Sequence, residues 1–100
     1  MRLVKVEIQE QKPSLLVEHD NGIEAVSNDG TMKIILRKVN LFVEGAARDI
    51  YATLFYIKEG NAWIKTSESH TYNTKEEFIK ALRETEEFYK AVDEYDNIHK

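Results

Sequence analysis

The chain has no cysteine, one proline and four glycines in its 100 residues. Without cysteine, disulfide staples and thiolate metal sites are excluded, and nothing points to an oxidising compartment. Long apolar runs are lacking too. The start, "MRLVKVEIQEQ", alternates charged and apolar residues where a signal peptide would be continuously apolar, and no other segment approaches a membrane span. A cytoplasmic protein without membrane attachment is therefore expected. His19, His70 and His99 stand alone, with no HExxH spacing, and there is no P-loop, dinucleotide fingerprint or nucleophile elbow. Neighbouring hydroxyls and histidine in "TSESHTYNT" read as a polar connection, not as a nucleophile with its base. No catalytic residue, metal ligand or cofactor is expected, and the chain reads as a non-enzyme.

What is present is apolar residue at 42%, enough for one packed core and hence one domain. The formal net charge of -4 is unevenly placed: residues 1–73 carry ten acids and nine bases, residues 74–100 eight acids and five bases. A weakly acidic chain repels phosphate unless a local basic patch offsets the overall field.

The glycines fall at punctuation points, in "HDNGI", "SNDGT", "VEGAARD" and "KEGNA". With the proline they divide the first 70 residues into strand-like runs at about 3–9, 15–19, 23–27, 31–43, 50–57 and 62–68. Asn21-Gly22 and Asp29-Gly30 offer positive-φ positions for tight hairpins. Short connections favour antiparallel neighbours, so a meander is expected over about 2–68. The run "TMKIILRKVNLFV" is long for one strand, which suggests a bend or bulge near Lys38 to Asn40. In "IYATLFYIKEGNAWIK", a loop on Glu59 and Gly60 would set Tyr56 opposite Trp63 and Ile57 opposite Ala62. Both faces of that hairpin are apolar. One helix can cover only one of them.

After Asn73 the period changes to a helical one. Thr74 with Glu77 is a capping-box pattern, and "KEEFIKALRETEEFYKAVDEY" contains no glycine or proline. One long helix is expected at about 75–95. Its stripe is broken, because Phe78, Ile79 and Leu82 lie about a quarter turn from Phe88, Ala91, Val92 and Tyr95, with the polar "RETEE" between. Either the helix kinks there or its halves face different surfaces. The expected class is α+β, a five- or six-stranded curled antiparallel sheet with a C-terminal helix, in which Phe55, Ile57 and Ile64 pack on Phe78 and Leu82. This arrangement is similar in outline to pleckstrin-homology-like domains and to the Whirly single-stranded DNA binders. The likeness extends no further than the last hairpin and the helix start, so no family is assigned, and fold outline does not carry function.

Two binding surfaces follow from the residues. Phe88, Val92 and Tyr95 with Glu84, Glu87, Asp93 and Glu94 would form an apolar patch rimmed by acids, suited to a protein partner. Small acidic proteins that phages and mobile elements direct against host defence enzymes act through such strips, so an inhibitor or adaptor is the first expectation. The alternative is single-stranded nucleic acid held by Tyr56, Trp63, Lys65, Lys33 and Arg37, aromatics for base stacking beside cations for phosphate. A homodimer would also bury surplus apolar surface, since a two-fold axis uses one patch twice.

Overall fold

The computed structural model describes residues 14–100. The expected first strand, at about 3–9, lies outside them. The described residues form a six-stranded antiparallel sheet, ordered β1 (Leu16–His19), β2 (Gly22–Val26), β3 (Met32–Val43), β4 (Ala46–Glu59) and β5 (Ala62–Lys65), with β6 (Thr71–Tyr72) also on β4. Two helices follow, α1 (Lys75–Arg83) and α2 (Tyr89–Ile98), separated by a 3₁₀ turn at Glu86–Phe88. The antiparallel α+β class is as expected; the single long helix is not.

The helix breaks at the polar stretch for identifiable reasons. The Thr85 hydroxyl donates to the Ala81 carbonyl, and Asn28 from the β2–β3 turn accepts at Oδ1 from the Lys90 N–H and donates from Nδ2 to the Glu86 carbonyl. Asn28 thus satisfies a first-turn amide of α2 that would otherwise have no partner. Arg83 clasps Asp96 through two bonds of 2.8 Å across the break, which raises the guanidinium pKa and lowers that of the carboxyl. The expected capping box at the start of α1 is present in part: Glu77 N–H donates to Thr74 Oγ1, while the Glu77 carboxylate accepts from the N–H of Asn73, one residue before the cap.

Rotation at the break turns both apolar clusters onto the same sheet face. Phe78, Ile79 and Leu82 of α1 and Phe88, Ala91 and Val92 share one core with Leu16, Ile23, Ala25 and Leu36. The patch expected on the surface is therefore internal: Phe88 and Val92 are 2% and 3% exposed, and Tyr95 is half-buried against that core. Glu94 is structural as well, accepting from Ser14 Oγ and the Leu15 and Leu16 N–H groups at the start of β1.

β3 and β4 pair in unbroken register from Met32 opposite Ile57 to Val43 opposite Ala46, so the expected bulge near Lys38 to Asn40 is absent. The tip is Glu44-Gly45, both at positive φ (52° and 79°), as a two-residue type I′ turn needs. β4 begins earlier than expected because "VEGAARD" contributes strand right up to this tip. Gly22 does not serve the β1–β2 turn. It lies in β2 opposite His19, where an added Cβ would fall 1.9 Å from the Leu36 carbonyl oxygen. In the last hairpin the loop is Gly60-Asn61, with Lys58 opposite Trp63 and Tyr56 opposite Lys65. That is two residues from the expected register, and a slip of two leaves every side chain on its expected face.

Candidate functional site

Opposed residues in a ladder share a face, and alternation assigns the rest. One face of the sheet carries Met32, Ile34, Leu36, Thr53 and Phe55 and lies beneath the helices. The opposite face carries Lys33, Ile35, Arg37, Leu54, Tyr56, Lys58, Trp63 and Lys65. Among the described residues no second layer lies over it.

All five residues expected to form an aromatic and basic surface are on this face. Lys65, Tyr56 and Lys33 make one row across β5, β4 and β3, with strands spaced about 4.8 Å apart. Trp63 sits one step along beside Lys58, and the Lys33 ammonium lies 4.6 Å and that of Lys58 5.8 Å from the indole centroid. Arg37 lies two alternations along β3 from Lys33, a run of about 13 Å. Lys58 is the member that sequence reasoning missed. Its alternation with Tyr56 was the available signal.

Charge divides between the two sides of the sheet. On the face away from the helices, Lys33, Arg37, Arg48, Lys58 and Lys65 are set against Glu24 alone among the described acids, and Glu24 is 3.4 Å from His19. The helical layer is net negative, with Glu76, Glu77, Glu84, Glu86, Glu87, Asp93, Glu94 and Asp96 against Lys75, Lys80, Arg83 and Lys90. The weak overall charge thus conceals a local basic patch, the feature a phosphate ligand requires.

Helix cover is incomplete at the β4–β5 end. Ile57 and Ile64, expected to pack on Phe78 and Leu82, are 45% and 46% exposed. Phe55 is not packed against the core either; it lines, together with Phe78 and Leu82, an open groove of about 360 Å³ whose walls also include Met32, Ile34, Phe88, Glu68 and His70. The cause is the helix break, since α2 closes over β1 and leaves this end bare.

A third surface was not anticipated. Beyond Arg37 and Ala52, β3 and β4 run on as a bare hairpin arm in which residues 41–49 are all exposed, Phe42 at 75% and Val43 at 52%. The signal was the uncharged "VNLFV" in a run that was too long for one strand of a compact sheet.

Among the described residues no helix is long and apolar enough to cross a membrane, and no cluster of three or more histidines or carboxylates could hold a metal ion. No protein-family model, curated protein or solved structure matches the chain.

Proposed function

We propose that this chain is a non-enzymatic binding module whose sheet face holds single-stranded nucleic acid. The observation that carries the reading is the Lys65–Tyr56–Lys33 row with Trp63 beneath the Lys33 ammonium. Bases stack on the two aromatic rings without sequence preference, each worth about 1–3 kcal/mol. The lysines move from the indole onto the phosphates that accompany each stacked base, and Arg37 extends the cationic track along β3. The acidic helices on the far side orient the molecule, presenting the basic face to a polyanion.

Trp63 is the only tryptophan, so its fluorescence reports this site alone. Titration with short single-stranded DNA and RNA should give saturable quenching that weakens as salt rises. Trp63→Ala, followed by polarisation of a labelled oligonucleotide, should abolish binding with the fold intact. Lys65→Ala should reduce the salt slope by about one. An unchanged Trp63 signal at low salt overturns the reading.

A second reading keeps the protein partner. Its support is that Glu84, Glu87 and Asp93 are exposed on the helical layer and make no ion pair with any described residue. Such a strip suits a basic protein surface, and the module would then act as an inhibitor or adaptor competing for it. Pull-down by a basic partner that is lost in the triple Glu84→Gln, Glu87→Gln, Asp93→Asn variant, with no oligonucleotide response, would select this reading.

A further inference from the structure

The groove between α1 and the β3–β4 ladder takes no part in nucleic-acid binding, since it opens on the helix side of the sheet, away from Trp63 and the lysine row. Its floor is made by Phe78, Leu82 and Phe88, which are buried, and its walls by Met32 and Ile34 of β3 and Phe55 of β4. The deeper hydroxyls are already engaged. Thr53 donates to the His70 carbonyl and accepts from the His70 N–H, and Thr85 donates to the Ala81 carbonyl. A guest would therefore meet an apolar interior, and polar choice is left to the mouth. There Glu68 has His70 Nε2 at 3.2 Å from one carboxylate oxygen, and Glu87 makes no ion pair with any described residue. No described lysine or arginine lines the groove. Both acids sit on segments tied to the sheet: the Glu87 carbonyl accepts from the Asn28 N–H, and beside Glu68 the Ser69 hydroxyl donates to the Thr53 carbonyl.

We propose that this groove binds a small amphipathic amine, an apolar chain or ring that carries a protonated nitrogen. The argument is charge complementarity at the rim of an apolar recess. The apolar part lies between Phe55, Phe78 and Phe88, and the ammonium stays at the mouth against Glu68 and Glu87. There it keeps part of its hydration and gains two opposite charges, whereas a carboxylate head would meet two like ones. A neutral head gains neither, because the engaged hydroxyls of Thr53 and Thr85 leave it little to bond at depth. The scale is that of one small ligand, for which recesses of about 300–1,000 Å³ are usual. A protein partner would need a wider and flatter contact.

The test needs no nucleic acid, so its failure is separate from failure of the nucleic-acid reading. Met32 is one of two methionines and lines the groove, so its isotope-labelled methyl resonance reports occupancy. Titration of the full chain with octylamine, octanol and octanoate, each below its micelle-forming concentration, should give saturable shifts in which the amine binds about fivefold or more tightly than the alcohol, and the acid most weakly. Each methylene added between hexylamine and octylamine should tighten binding about fourfold. Glu68 and Glu87 are exposed, so the double variant Glu68→Gln, Glu87→Gln should keep its fold. In it the amine should fall to the alcohol's affinity while the alcohol keeps its own. Ala81→Phe fills the groove and should abolish all three shifts; if circular dichroism shows its fold lost, the double variant decides alone. The proposal is overturned if millimolar octylamine gives no saturable shift, or if octanol or octanoate binds as tightly as the amine. It is overturned equally by an amine preference that survives in the double variant, or by octylamine binding to a folded Ala81→Phe chain.

Discussion

The two ends of the β3–β4 ladder share one register and one pair of strands, yet they behave as different kinds of structure. At the Ile34–Phe55 end the ladder lies under two helices, and Leu36 and Thr53 are 1% and 4% exposed. At the Leu41–Arg48 end the same ladder stands in solvent on both faces. Pairing therefore needs only strand-forming residues and a tip that turns tightly, which Glu44-Gly45 supplies. Burial needs a second layer, and the helices reach only part of the sheet. Stability belongs to the covered stretch, while the bare end contributes pairing without burial.

The comparison can be tested by substitution on each side. Val92→Asp puts a carboxylate into the core among Leu16, Phe78 and Phe88, and chemical denaturation should show a loss of more than about 3 kcal/mol. An almost unchanged midpoint would return Val92 to the surface and revive the acidic-rimmed patch as an interface. Gly22→Ala forces a methyl group against the Leu36 carbonyl, and should cost about 1–3 kcal/mol by the same measurement.

A smaller effect is expected with pH at the β2–β3 turn. Asp29 accepts from the Thr31 hydroxyl and N–H and from the Ser27 hydroxyl, which lowers its pKa from 3.8 to about 2. The folded state holds the charged form more tightly than the unfolded chain does. This contribution is present above pH 3.8 and is lost as pH falls towards 2. Acid titration of the denaturation midpoint should be flatter through that window in Asp29→Asn. Smallest of all, Phe42→Ser on the arm should move stability by less than about 0.5 kcal/mol in dilute solution, as at other surface positions. A large loss there would mean that the arm is packed and the contrast is false.

Much of the sheet was legible because alternation and glycine placement are local signals. The expected runs at 15–19, 23–27 and 31–43 fall within a residue or so of β1, β2 and β3. The shared face of Tyr56, Trp63 and Lys65 was readable despite a two-residue register error, since strand parity survives it, whereas Lys33 could be placed only on a neighbouring strand. The buried fate of Phe88 and Val92 was not. It depends on Asn28, some sixty residues earlier, capping α2 and letting the helix turn back to the sheet. Lys58 escaped notice because the expected hairpin register set Tyr56, not Lys58, opposite Trp63, and the arm because its exposure depends on where neighbouring strands stop.

The sequence by itself determined the antiparallel pairing, the parity of each strand, the capped start of α1 and the polar point at which the helix could break. These follow from contacts between residues near one another in the chain. The tertiary structure alone decided which apolar cluster is core, which ladder end is bare and on which side the cations gather. Those outcomes depend on how far each element extends over its neighbours, and burial and charge segregation are properties of assembled layers that no single segment carries.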